Sequence, residues 1–113
     1  FLADTTATNW RFRTNSDDAS YVWIGTNSTG ADTALDPNNA VVDNGGLHGA
    51  QTRTSSNISL TNGVFYPLAV VIGNNNGPGV LTFSFSSNGG TNYSTNGDGL
   101  FFYNPYAENG FNL

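Results

Sequence analysis

Trp10-Arg11-Phe12-Arg13 and Leu81-Thr82-Phe83-Ser84-Phe85-Ser86 are the stretches on which the fold turns. In each, large apolar side chains alternate with polar ones, the period of two that sets one face of a strand on a core and the other in water. Tyr21-Val22-Trp23-Ile24, Val64 to Ile72 and Leu100-Phe101-Phe102-Tyr103 are more continuous apolar runs and read as strands covered on both faces. Ile58 and Leu60 mark another short strand. Six Asn-Gly dipeptides, at Asn44, Asn62, Asn76, Asn88, Asn96 and Asn109, punctuate these segments, and the pair favours the positive φ of tight turns. Nowhere do apolar residues recur with helical spacing over three turns, so little helix is expected. The expected fold is all-β, an antiparallel β-sandwich or barrel-like domain with long inter-strand loops.

The composition narrows the function. Eight Phe, five Tyr and two Trp supply the core volume of a chain that is only 37% hydrophobic. Charged residues make up 10%, against roughly 25% in an average soluble domain. Lys is absent, and eight acids against three Arg give a net charge of -5, which repels phosphate backbones and anionic lipid. Nucleic acid is therefore excluded as a partner. No apolar run reaches the roughly 18 residues that span a bilayer, so no membrane insertion is expected. Without Cys there is neither a disulfide framework nor a thiolate metal site. Residues 1–113 read as a single β domain, a processed protein or a module of a larger extracellular or virion protein. From Thr26 to Thr54 the chain is rich in Asn, Asp and Gly, and reads as loops with one short strand near Ala40 to Val42. Loops of that length often carry binding surfaces.

Asp17 and Asp18 lie between the Trp10 and Tyr21 strands, two adjacent carboxylates in a short connection. Neighbouring side chains of an extended trans chain point to opposite faces, and a cis peptide would remove that obstacle to chelating one ion. Calcium is the natural candidate, since it takes six to eight oxygens from carboxylates, amides, carbonyls and hydroxyls together. Taken alone, the dipeptide reads first as a plain acidic turn. A second oxygen-rich element, Gly73-Asn74-Asn75-Asn76-Gly77, follows a strong apolar run, and Asn74 and Asn76 can aim amide carbonyls one way.

The order of segments then becomes recognisable: Ser-Asp-Asp-Ala-Ser-Tyr-Val-Trp-Ile-Gly over 16–25, Asn44-Gly45-Gly46-Leu47-His48, and Val64-Phe65-Tyr66-Pro67-Leu68-Ala69-Val70-Val71-Ile72-Gly73-Asn74. Over roughly residues 9 to 104 this resembles the adhesin superfamily of protective-antigen (PA-fourteen), GLEYA and flocculin domains. The resemblance implies that Asp17 and Asp18, joined by a cis peptide, hold Ca2+ with Asn74 and Asn76, and that glycan hydroxyls complete the shell beside Asn75. It implies a non-enzymatic lectin-like adhesion module, extracellular or on a cell or virion surface, whose partner is a glycan or cell-surface carbohydrate. The chain departs from the pattern in lacking cysteines and the pentapeptide that names the GLEYA group, and N-terminal strands of a full domain are expected to be missing. The alternative is a structural module that self-assembles or packs on neighbouring chains in a fibre, filament or virion, where open sheet edges need covering.

His48 is the only histidine, and no Gly-x-Ser-x-Gly elbow accompanies it, so catalysis is not expected. The resemblance gives it a structural hydrogen bond instead. Arg11 and Arg13 read as a solvated face, and Trp23 as core rather than a sugar-stacking platform. Three sequons, at Asn27, Asn57 and Asn92, are the number expected by chance in a chain this rich in Asn, Ser and Thr.

Overall fold

The alternation that begins at Trp10 extends into an eleven-residue strand, β1 (Ala7–Asp17), the spine of the domain. The computed structural model describes residues 1–25 and 35–102. Six further strands follow: β2 (Ser20–Ile24), β3 (Val42–Asn44), β4 (Gln51–Thr54), β5 (Ile58–Leu60), β6 (Leu68–Ile72) and β7 (Val80–Ser86). β1 pairs with β4, β5 and β7 in a four-stranded sheet, and β3, β2 and β6 form a three-stranded one in that order. Every pairing is antiparallel. Among the described residues there is no α-helix, and a 3-10 turn covers Pro37–Asn39. The fold class expected from the alternation is thus the one observed.

The inner face of β1 has two halves. Trp10 and Phe12 come first and Thr14 and Ser16 follow, all four no more than 1% exposed. Around the aromatic half, the ring of Phe1 packs edge-on against Trp10, Phe12, Phe85 and Phe101 at centroid distances of 5.4–5.6 Å. This is the geometry that ring quadrupoles favour, and burying a side chain such as Phe12 stabilises the fold by about 1.5–3 kcal/mol.

Around the polar half, the Ser20 hydroxyl donates to Thr14 Oγ1 at 2.9 Å and lies 2.6 Å from Ser16 Oγ. Buried Asn44 reaches across the sandwich, its Nδ2 donating to Thr14 Oγ1, Ser16 Oγ and the Gln51 carbonyl at 3.3, 3.2 and 2.8 Å. Gln51 Nε2 returns a bond to Asn44 Oδ1 at 2.8 Å. Buried hydroxyls and amides are tolerated only when bonded, and among the described residues no buried side-chain polar atom lacks a partner.

Several strand limits differ from the sequence reading, each for a physical reason. The strand expected at Ala40 to Val42 is displaced to Val42–Asn44, because Asn44 is drawn inward by the hydroxyl network. Of Val64 to Ile72 only Leu68–Ile72 is a strand; Pro67 has no N–H to give a ladder, and Phe65 makes an isolated bridge to Leu2. Nor is that run covered on both faces, since Val71 and Ile72 are 43% and 40% exposed. Leu100 to Phe102 is a turn and coil, in which Phe101 packs on Phe1, Phe83 and Phe85; Tyr103 lies outside the described residues. The Thr26 to Thr54 stretch holds a second, unforeseen strand, β4, and its residues 26–34, like Asn109, also lie outside.

Glycines 63, 77 and 89 of the Asn-Gly pairs have positive φ, but at Asn44 and Asn96 that role falls to Gly46 and Gly99. Arg11 and Arg13 are tethered rather than merely solvated. Arg11 Nε donates to Asn57 Oδ1, Arg13 Nε donates to Ser84 Oγ, and the Arg13 guanidinium lies 3.7 Å from the Tyr93 ring centroid.

Truncating Asn44 removes a partner from the buried Thr14 and Ser16 hydroxyls and from the part-buried Gln51 carbonyl and side-chain amide. Denaturant unfolding is expected to show Asn44→Ala less stable by about 1–3 kcal/mol, while Thr82→Ala on the exposed face of β7 stays within about 0.5 kcal/mol.

Candidate functional site

β1 and β2 belong to different sheets, so Asp18 and Ala19 carry the chain across the end of the sandwich. The peptide bond between Asp17 and Asp18 is cis, the configuration implied by the family resemblance. Two loops converge on Asp18. Its Oδ1 accepts the backbone N–H of His48 at 2.9 Å and its Oδ2 that of Asn75 at 3.0 Å. The Asn75 bond first, and the His48 bond next, hold the Asp18 carboxyl below its ordinary value of 3.8. The Gly73 N–H donates to the Ala19 carbonyl at 2.8 Å and fixes the start of the Asn loop, where β6 is still in register with β2.

Within that loop Asn74 Nδ2 donates to the Gly77 carbonyl at 2.8 Å, which orients the amide and leaves Oδ1 without a hydrogen bond among the described residues. A Cβ at Gly79 would stand 3.2 Å from this amide, so the loop closes tightly over it. Asn75 and Asn76 are exposed, and their side chains, like the Asp17 carboxylate, make no hydrogen bond among the described residues. The structure thus brings Asp18 and the Asn74–Asn76 loop together. Among the described residues no three acidic, His or Cys side chains gather into a metal-holding group. A cation here would rest on two carboxylates plus amide and carbonyl oxygens. Those donors, hard and of mixed type, fit calcium and do not fit a soft metal.

The second loop, between β3 and β4, is closed at its base by the reciprocal Asn44–Gln51 amide bonds. At its tip His48 has backbone carbonyls on both sides, Gly49 O at 2.7 Å from Nδ1 and Asn44 O at 3.1 Å from Nε2. Both ring nitrogens donate only in the imidazolium. The Gly49 carbonyl, then Asn44, and more weakly Asp18 and Asp17, raise the imidazole above 6.5. His48 is therefore a structural hydrogen-bonding residue.

Gly45 lies directly against the hydroxyl and ring of Tyr21, where a Cβ would collide. Tyr21 stacks on Trp23 at 5.7 Å, and Trp23 is buried with Nε1 donating to the Asp36 carbonyl at 2.9 Å. Trp23 is accordingly no exposed sugar platform. Sequence reasoning missed the backbone amide of His48 and the Gly45–Tyr21 contact; the first leaves no trace in residue identity, and the second only the pair Gly45-Gly46.

Two antiparallel sheets with a loop-borne acid and amide site at one end define a β-sandwich recognition domain. Residues 1–87 match the GLEYA domain family, and the chain belongs to it. GLEYA domains are flocculin-type adhesin domains, not an enzyme family, and their general role is carbohydrate-binding adhesion at the cell surface. Neither a curated protein nor a solved structure matches the chain.

The two shifted groups of this site, Asp18 and His48, act in separate pH ranges. Because the folded-state value of His48 lies above 6.5, its stabilisation is complete below pH 6.5 and disappears as pH rises through the folded value. That of Asp18 is complete above 3.8 and is lost as pH falls through its depressed value. An NMR titration is expected to place the imidazole midpoint above 6.5. Asp18→Asn, which keeps both carbonyls in place, should retain most of that elevation.

Proposed function

We propose that the domain is a calcium-dependent carbohydrate-recognition module, in which Asp17 and Asp18 hold the ion with the side-chain carbonyls of Asn74 and Asn76. The observation that carries this reading is the Asp18 carboxylate fixed between the amides of His48 and Asn75. The GLEYA family membership supports the sugar half. Bound calcium supplies open coordination positions for vicinal hydroxyls. The chain's own groups do the rest. The two loop amides orient the Asp18 oxygens while leaving each a lone pair, the Asn74–Gly77 bond leaves Asn74 Oδ1 unbonded among the described residues, and Asn75 offers a further amide to a hydroxyl.

Binding confined to the native state raises its stability by about 2.7 kcal/mol at a calcium concentration 100-fold above the dissociation constant. For a chain this size that is a rise in Tm on the order of 10 °C. Thermal melts across a calcium titration are expected to show such a rise, and Asp18→Asn to abolish it. A flat wild-type response, or an equal rise in the variant, would sink the metal site. Glycan-array binding with and without chelator tests the sugar half, with retention in chelator counting against calcium dependence.

A second reading is favoured by the exposed apolar ends of β6 and β7, one in each sheet. Ile72 and Leu81, at inward-facing register positions, are 40% and 39% exposed, and Val71 and Val80 beside them are 43% and 46% exposed. Apolar strand edges with no partner among the described residues invite further β structure, so the module also packs on copies of itself or on neighbouring chains of a fibre, filament or virion. Light scattering over a range of concentrations should then show association that Ile72→Ser weakens. A monomer throughout overturns this second reading and leaves the first intact.

A further inference from the structure

Seven residues back along β1 from Asp17, roughly 20 Å away, the opposite end of the four-stranded sheet carries an open cavity of 360 Å³. Its size falls within the range of small-molecule sites, about 300–1,000 Å³. Half-buried Tyr93 and Leu100, lying over the buried rings of Trp10 and Phe85, give it an apolar floor, and Asp4, Asn92, Asn96 and Asp98 stand around it.

Both loops that form the wall have backbones locked by their own side chains. After β7, Ser86 Oγ accepts the N–H groups of Asn88 and Gly90 at 3.2 and 3.0 Å, and Asn88 Oδ1 accepts the Asn92 N–H at 3.0 Å. Ser94 then pairs with Phe85 through both backbone bonds, 2.8 and 3.0 Å. In the next turn Ser94 Oγ accepts the Asn96 N–H and Asn96 Oδ1 that of Asp98, at 3.1 and 3.0 Å. A bond from the Leu2 N–H to the Leu100 carbonyl, 2.7 Å, ties this turn to the N-terminal segment beside Asp4.

These bonds use backbone donors and leave the outward ends of the side chains unspent. Among the described residues the Asn92 amide, Asn96 Nδ2 and the Asp98 carboxylate make no hydrogen bond, and Asp4 accepts one only from its neighbour Thr5, at 3.2 Å. A ligand suited to this wall presents an apolar face to the floor and both donors and acceptors to the rim, and it carries no negative charge. A neutral saccharide has that pattern of C–H face and equatorial hydroxyls. Preformed backbone limits the ordering cost of binding.

We infer that this cavity is a second carbohydrate site, independent of calcium and separate from the Asp17–Asp18 end. Asn92, Asn96, Asp98 and Asp4 bond the sugar hydroxyls, and Leu100 and the edge of the Tyr93 ring meet its carbons. The cavity stands whether or not the calcium reading holds.

The test is a 1H–15N NMR titration of the whole chain, in excess chelator, with methyl glucoside, methyl mannoside, methyl galactoside and lactose. At least one of them should shift the amides from Asn92 to Asp98 and the Trp10 indole N–H, and leave those of Asp18, His48 and Asn75 in place. In Asn92→Ala/Asp98→Ala, both exposed positions, half-saturation should move up by at least about tenfold, with the rest of the spectrum unchanged. The inference is overturned if no sugar moves the Asn92–Asp98 amides, if the double variant titrates like the wild-type chain, or if shifts occur only at Asp18, His48 and Asn75. Repeating the titration with calcium separates the two sites: shifts at Asn74 to Asn76 that need the ion report on the first site alone.

Discussion

The hydroxyl and amide network on the inner face of β1 is the constraint around which the rest of the domain is arranged. A sandwich this small is held by what its two sheets place between them, and here the filling changes character midway along one strand. Trp10 and Phe12 gather an aromatic cluster that tolerates varied ring geometry. Thr14 and Ser16 tolerate only partners that satisfy them. Ser20 and Asn44 supply those partners, so β2 and β3 are fixed against β1 by direction as well as by contact. The polar half lies next to Asp17, which places the most stringently specified packing directly beneath the loops that meet at Asp18.

That arrangement explains what the sequence revealed and what it hid. β1 and the well-covered end of β7 were legible because aromatic residues alternate with polar ones, and β2 because Tyr21 to Ile24 is a continuous apolar run. β4 was not, because Gln51-Thr52-Arg53-Thr54 is exposed over three of its four residues and carries no apolar signal; pairing with β1 alone makes it a strand. The apolar run at Leu100 misled in the other sense, since Phe101 joins the aromatic cluster from a turn. At the site, residue identity pointed to Asp17, Asp18 and Asn74 through their order along the chain. The contributions of His48 and Asn75 to Asp18 are made by backbone N–H groups, which every non-proline residue possesses.

A surface with few charges suits an adhesin. Long-range fields steer association and also attract unwanted partners, whereas Asn, Ser and Thr exert their effect at contact distance. The tethering of Arg11 to Asn57 and of Arg13 to Ser84 and Tyr93 belongs to the same pattern. Two of the three arginines are spent within the fold, and the remaining one, Arg53, has its guanidinium on the neighbouring Thr52 carbonyl at 3.2 Å.

The amide clasp between Asn44 and Gln51 has a consequence for how such a domain diversifies. With its two stems locked together by their own side chains, the segment from Gly46 to Ala50 is a replaceable cassette apart from His48, whose ring bonds the Asn44 carbonyl. Its length and side chains can be exchanged without prying β3 from β4 or uncovering the hydroxyls beneath, provided some backbone N–H still reaches the acid across from it. Variation in recognition can then accumulate at this tip while the scaffold that presents it stays the same.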